Sequence, residues 1–171
     1  VTSSSIDSNA DFHIPSLSSK VIVYKGLIMA HQLQAFYHDL NNDSLLSSFA
    51  MVHSRFSTNT MGSWKLAHPY RHIIHNGEIN TLRGNINGMA ARESIFSSPL
   101  LGKEMKKLLP IIASGQSDTA SLDNAVELLL ATGRSLPHAM MMLIPEAWGD
   151  HIPMDQSKKD FYEYHSSMME A

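Results

Sequence analysis

Apolar residues recur every three or four positions in four stretches of the chain, a spacing that places them on one face of a helix. The four sets are Leu33, Phe36, Tyr37 and Leu40; Ile79, Leu82, Ile86 and Met89; Leu122, Val126, Leu129 and Leu130; and Phe161, Tyr164 and Met168. The pattern predicts helices over His31–Leu40, after Gly77, after the polar loop that ends at Asp118, and over Asp155–Met169. Gly133 lies just beyond the third helix, where glycine commonly ends a helix.

Three shorter segments complete the helical prediction. Lys103–Leu109 has the composition of a short helix, and Pro110 stops it because proline cannot continue the hydrogen-bonding pattern. Ser135 is a suitable N-cap for another short helix with Pro137 in its first turn. Met140–Ile144 is an apolar run that fits either a buried strand or a helix end, because periodicity does not separate the two.

Two segments favour extended strands. Val21–Tyr24 is rich in β-branched and aromatic residues, and it is the clearer part of the extended region from Phe12 to Tyr24. Phe49–Phe56 alternates, so every second side chain from Phe49 to Arg55 points to one face of a sheet. Strands and helices mix without a βαβ rhythm, which indicates an α+β fold. We predict one domain over residues 1–171, with residues 1–11 as a loose end.

The composition of the chain argues against several classes of function. The 171 residues are 43% hydrophobic and carry a net charge of −3, which gives no basic surface for nucleic acid. No apolar run approaches the ~20 residues of a membrane span, and the first residues lack the features of a signal peptide. The absence of cysteine excludes disulfides, thiolate metal sites and a cysteine nucleophile within this sequence. A reducing cytoplasm is compatible with that composition.

Histidines offer one candidate site. The sequence has ten, and His68, His72 and His75 lie close together, with His53 nearby along the chain. Imidazoles are common zinc ligands, so a zinc hydrolase is one alternative. No HExxH motif is present, and Pro69 interrupts any shared helical face. We therefore favour these histidines as core or loop side chains and predict no metal.

A second candidate site combines charged and amide groups. Arg55 near the end of an apolar strand is suited to bind a carboxylate, although an ion pair within the sheet is an alternative. Asn76 and Gly77 pair an amide side chain with an accessible backbone N–H, although Asn-Gly is also a common hairpin turn. Asp118 is either a ligand for a cation or the N-cap of the following helix. A substrate with a carboxylate whose reaction develops an oxyanion needs groups of these kinds.

Several long segments of the chain resemble one protein family, and this resemblance favours a ligand-binding role for the residues of the second candidate site. The segments HSRFSTN, SWKLAHPYRHIIHNGEINTLRGN and SDTASLDNAVELLLATGRSLPHAMMMLIPEAW resemble the glutaminase domain of the glutamate synthase large subunit. SLSSKVIVYKG and FYEYHSSMME resemble the flanks of the same domain. The resemblance covers nearly the whole chain from Phe12 onward. That domain is a class II glutamine amidotransferase with the N-terminal-nucleophile (Ntn) hydrolase fold, an αββα sandwich.

The resemblance implies a function and assigns residues to it. The family hydrolyses the side-chain amide of L-glutamine, and the synthase adds the ammonia to 2-oxoglutarate in a distant part that holds FMN and an iron–sulfur cluster. Arg55 would bind the α-carboxylate of glutamine, with Thr58 lining that end of the pocket. Asp118 would bind the α-ammonium. The Asn76 side chain and the Gly77 N–H would form the oxyanion hole.

The chain departs from the family at the nucleophile. The family uses a cysteine at the processed N-terminus, whereas this chain has no cysteine and begins with Val1. We therefore expect an internal fragment of a longer domain, without glutaminase activity on its own, that needs no cofactor itself. Its partners would be glutamine and the remainder of the synthase, in the cytoplasm or, in a eukaryote, the plastid. A noncatalytic module that retains the fold for ligand binding or subunit contact is the alternative.

Overall fold

Helices carry most of the regular structure in residues 13–54 and 63–169, the ranges that the computed structural model describes. The chain divides into two compact units, and the division falls between Ile74 and His75. The predicted loose end at residues 1–11 lies outside these ranges.

The first unit contains short helical turns rather than one long helix. The 3-10 turn Ala30–Gln32 is followed by helix α1, Leu33–Phe36, and the 3-10 turn His38–Asn41. The helix predicted over 31–40 is therefore interrupted, because Tyr37 adopts an extended conformation with φ −108° and ψ 92°. The Tyr37 hydroxyl donates a hydrogen bond to the Lys25 carbonyl, which favours that break.

Lys25 organises the rest of the first unit. Its Nζ atom donates hydrogen bonds to the carbonyl oxygens of Trp64 at 3.1 Å and Ala67 at 2.6 Å. The same ammonium group lies 4.9 Å from the centre of the Tyr70 ring, a cation–π distance. Ala67 and Tyr70 are buried there, so the lysine fixes a loop that is otherwise without regular structure.

The two predicted strands are not formed in the described residues. The N–H of Val23 donates to Ser16 Oγ at 3.0 Å rather than to a neighbouring strand. Residues 49–54 also have no strand pairing. Met51 and His53 are more buried than Val52 and Ser54, as the alternation predicts, but Phe49 on the same predicted face is 69% exposed. A strand is stable only when another strand accepts its hydrogen bonds. Within the described ranges, the only β-pairing is an isolated bridge between Gly149 and Ile152, so the α+β sandwich is not confirmed.

The second unit holds the longer helices. They are α2 (Leu82–Arg92), α3 (Asp118–Ala131), α4 (Leu136–Leu143) and α5 (Gln156–Met169), with 3-10 turns at Glu93–Ile95 and Gly102–Leu108. The helices predicted after Gly77, after Asp118, after Ser135 and up to Met169 are therefore confirmed. The segment left open at Met140–Ile144 is the last part of α4. The short helix predicted over Lys103–Leu109 is a 3-10 helix, Gly102–Leu108.

Helix α3 is the centre of the second unit. It supplies Leu128 to one buried cluster with Met105 and Ile111, and Leu129 to another with Ala139 and Met142. Gly133 ends the helix at φ +96°, and Arg134 N donates to the Leu129 carbonyl at 3.1 Å, as in a Schellman motif. Helix α3 packs on α4, and α4 packs on α5.

The face predicted for α5 is partly wrong. Phe161 packs against the α3–α4 cluster as predicted, but Tyr164 is 62% exposed. Tyr162 is the buried residue, because the Trp148 ring stacks on it at 5.7 Å from the loop before the helix. The side chain of Met168 lies outside the described set.

The N-terminus of α3 gives a first testable prediction. Ser117 is the N-cap, and its Oγ accepts a hydrogen bond from Ala120 N at 3.1 Å. Ser117→Ala should lower the free energy of unfolding by about 1 kcal/mol, because a helix-end N–H loses its partner. Urea denaturation measures the change. Ser135→Ala is the matched control, because Ser135 caps α4 without a side-chain hydrogen bond, and an equal loss in both variants would contradict the prediction.

Candidate functional site

The segment that carries Asn76 and Gly77 precedes helix α2. Both residues form an exposed bend rather than a hairpin, and neither has a positive φ. Among the described residues, no hydrogen bond from the Asn76 side chain or from the Gly77 N–H is found. These donors are therefore available to a ligand.

The ring of His75 lies against the Gly77 backbone. A Cβ atom placed on Gly77 would be 3.2 Å from Cε1 and 3.3 Å from Nε2 of that ring. These distances are shorter than most Cβ contacts, so a larger residue at this position would require the ring to move by a few tenths of an ångström. His75 is half-buried, and its Nδ1 atom is buried without a hydrogen-bond partner among the described residues.

Asp118 begins helix α3 and lies directly after its N-cap, Ser117. The alternative in which Asp118 is itself the N-cap is wrong, since the Ser117 hydroxyl performs that role. The freed carboxylate accepts hydrogen bonds from Thr119 N at 2.6 Å and Thr119 Oγ1 at 3.1 Å, both on Oδ1. Its other oxygen, Oδ2, accepts from the N–H of Ile79 at 2.7 Å.

These contacts determine the charge of Asp118. Partial burial is the largest single influence and raises the pKa of the carboxyl, because it disfavours the charged form. The hydrogen bonds from Ile79 and Thr119 act in the opposite direction, and so does the nearby His75. Together they hold the pKa of Asp118 below its ordinary value, so the side chain is an anion at neutral pH.

The hydrogen bond between Ile79 and Asp118 brings together two parts of the predicted site that are distant along the chain. Ile79 follows Gly77 by two residues, and Asp118 lies 39 positions further on. Arg55 and Thr58 lie outside the described residues, so their predicted roles stay predictions.

The described histidines give no support to a zinc site. Within residues 13–54 and 63–169, no group of three histidine or acidic side chains is arranged to hold a metal ion. The rings of His53 and His68 are stacked with 4.6 Å between their centres and 24° between their planes. The nitrogen lone pairs of stacked rings lie in two separate, nearly parallel planes, which does not favour binding of one ion by both rings.

Comparison with known proteins identifies the family. The family model for class-II glutamine amidotransferases matches residues 1–171. The chain belongs to the class-II glutamine amidotransferases. The two described parts of the predicted site, Asn76–Gly77 and Asp118, are therefore held within the second unit of a class-II amidotransferase.

The amidotransferase chain is also similar to glutamate synthases. It is 54% identical over 160 residues to a glutamate synthase [NADPH] large chain of Bacillus subtilis, covering 94% of this chain and 10% of that protein. It is 52% identical over 160 residues to a glutamate synthase [NADH] of Schizosaccharomyces pombe, covering 93% of this chain and 8% of that protein. A ferredoxin-dependent glutamate synthase of Pyropia yezoensis is 48% identical over 162 residues, covering 94% and 10%.

The matched region is a small part of those proteins. The chain spans about a tenth of the length of these curated relatives. Within the described ranges of the amidotransferase chain, no helix has both the length and the apolar character that crossing a membrane requires.

Sequence reasoning missed three groups around the site. Ile79 and Thr119 contribute backbone N–H donors, which no side-chain pattern can reveal. The Asp-Thr pair at the start of a helix was a usable signal for Thr119, because a hydroxyl there commonly bonds nearby groups. His75 was predicted as a core or loop side chain, with a zinc ligand as the alternative, and neither interpretation included the contact of its ring with Gly77.

Proposed function

We propose that this chain is the glutamine-binding and oxyanion-hole portion of a glutamate synthase glutaminase domain. The observation that carries the proposal is the hydrogen bond from Ile79 N to Asp118 Oδ2. Two residues span at most about 7 Å, so Gly77 N lies within roughly 10 Å of this carboxylate oxygen. That range accommodates the separation between the ammonium and the side-chain amide of one glutamine.

Asp118 binds the α-ammonium in this proposal. An ionised carboxylate has about four acceptor positions, and Ile79 and Thr119 occupy three of them. A position on Oδ2 is left for an ammonium group. The three hydrogen bonds also fix the orientation of the carboxylate before the ligand arrives, which reduces the entropy lost on binding.

Asn76 and Gly77 receive the other end of glutamine. Both are neutral donors, so they stabilise negative charge that develops on the amide carbonyl oxygen without attracting the α-carboxylate as strongly as a cation would. Their exposure and the absence of competing hydrogen bonds within the described residues support this role.

Arg55 and Thr58 complete the proposal at the α-carboxylate. A guanidinium binds a carboxylate through two parallel hydrogen bonds, which sets the direction of the amino acid as well as its affinity. These two assignments rest on the resemblance of the HSRFST motif to the family.

The parent enzyme, in this proposal, hydrolyses glutamine to glutamate and passes the ammonia to 2-oxoglutarate elsewhere in the synthase. In this proposal, residues 1–171 belong to one domain of the αββα Ntn type. FMN and the iron–sulfur cluster lie outside this segment. Such a cluster is held by cysteine thiolates, and this sequence has no cysteine. The cytoplasm, or the plastid in a eukaryote, is the proposed location.

The pure chain should release no ammonia from glutamine. Its sequence contains no cysteine to attack the amide, and binding groups without a nucleophile give little turnover because such groups act together. A coupled ammonia assay with a complete glutamate synthase large chain as the positive control measures this. Ammonia release at a rate comparable with that control would contradict the prediction.

A noncatalytic ligand-binding module is the second candidate. Calorimetry with glutamine and glutamate tests the binding that both candidates require. Saturable binding of glutamine at one site supports the proposal, and no binding of either amino acid would refute it. Binding of glutamate without binding of glutamine would favour the second candidate.

A further inference from the structure

We infer that His75 is a positioning residue that holds the Gly77 N–H in place and thereby determines recognition of the side-chain amide. The inference rests on the proposed function and deepens it, because it concerns how one end of the same site distinguishes glutamine from an amino acid without an amide. The ring would act without contacting the ligand.

The first basis is the contact between ring and backbone. The ring atoms Cε1 and Nε2 of His75 fill the space where a side chain on residue 77 would begin, at 3.2 and 3.3 Å. Since the ring occupies that space, rotation of the Gly77 backbone toward it is hindered. The direction of the Gly77 N–H is therefore restricted on one side by the imidazole.

The second basis is the lack of other support for this segment. Asn76, Gly77 and Glu78 are all exposed, and Ile79 is the next residue with an anchor, through Asp118. His75 and Ile79 thus hold the two ends of a three-residue bend. Without the ring, only Ile79 would hold the bend in place, and the Gly77 N–H would sample many directions.

The third basis concerns how the ring acts. Its Nδ1 atom is buried and has no hydrogen-bond partner among the described residues, so that nitrogen contributes no directional bond. Packing of the flat ring is then the property that matters. A phenylalanine at this position keeps a flat ring, whereas an alanine removes it.

The test compares two ligands and two variants by calorimetry. L-Glutamine and L-norvaline share the α-ammonium and α-carboxylate, but norvaline has a propyl side chain in place of the amide. The wild type should bind glutamine more tightly than norvaline. His75→Ala should reduce the ratio of the two affinities about tenfold, the loss of roughly one hydrogen bond. His75→Phe should keep the ratio within about threefold of the wild type.

Each other outcome overturns a specific claim. An unchanged ratio in His75→Ala, or an equal loss of affinity for both ligands, would overturn the inference and leave the proposed function intact. Failure of the wild type to bind either ligand would overturn the proposed function and the inference with it. Equal binding of both ligands by the wild type would contradict the role of Asn76 and Gly77 in binding the amide. If His75→Ala does not fold by circular dichroism, His75→Asn replaces it with the same expected ratio.

Discussion

Replacing Asp118 by asparagine should lower the affinity for glutamine about thirtyfold, since loss of a charged hydrogen-bond acceptor typically costs about 2 kcal/mol. The variant keeps the size of the side chain but removes the negative charge that binds the α-ammonium. Its amide NH₂ group would also face either Ile79 N or the donors of Thr119, so at least one existing hydrogen bond becomes a donor–donor contact. Calorimetric titration of both proteins with glutamine measures the difference.

Asp155→Asn is the matched control for this variant. Asp155 immediately precedes helix α5 and is exposed, so the same substitution removes one charge at a helix N-terminus away from Asp118. The control should bind glutamine within about twofold of the wild type. Equal weakening in both variants would attribute the effect to general charge loss and contradict the assignment of Asp118.

The largest expected loss of stability follows from Leu129→Ala. Leu129 is 7% exposed and packs with Ala139 and Met142 where α3 meets α4. Removing three buried carbon atoms leaves a cavity that the surrounding helices cannot fully close, so the free energy of unfolding should fall by about 2–4 kcal/mol. Urea denaturation followed by circular dichroism measures the change.

Leu136→Ala provides the comparison for that variant. Leu136 is on α4 and is 38% exposed, so the same substitution removes less buried surface. Its loss should be about 1 kcal/mol or less. If Leu136→Ala cost as much as Leu129→Ala, then the packing between α3 and α4 would not be the main source of stability in this unit.

Helices in this chain could be predicted because their signals are local. The apolar spacing from Leu122 to Leu130 predicts α3, and Gly133 predicts its end, since each depends only on residues within a few turns. The buried face was harder to predict. Tyr162 is buried because Trp148 stacks on it, and that contact comes from a loop outside the helical period.

Strands and the surroundings of the site depend on distant residues. The β-prone sequence Val21–Tyr24 forms no ladder, because pairing needs a partner that local sequence does not specify. Asp118 was identified through the resemblance of the segment that begins SDTASLD to the family, but its bond to Ile79 joins residues 39 positions apart. Such a contact follows from the packing of the unit. The spacing of residues along the sequence therefore could not predict the groups that donate hydrogen bonds to the carboxylate.

The most direct test of the central claim is a titration of the ¹⁵N-labelled chain with glutamine, followed by ¹H–¹⁵N correlation spectra. The claim is that one amino acid is bound by Asp118 at its ammonium and by Gly77 at its amide. The backbone signals of Gly77, Ile79 and Thr119 should shift together with one dissociation constant, and the Arg55 side-chain Nε–H signal should follow the same curve. Saturable shifts confined to other residues, with these four signals unchanged, would contradict the account.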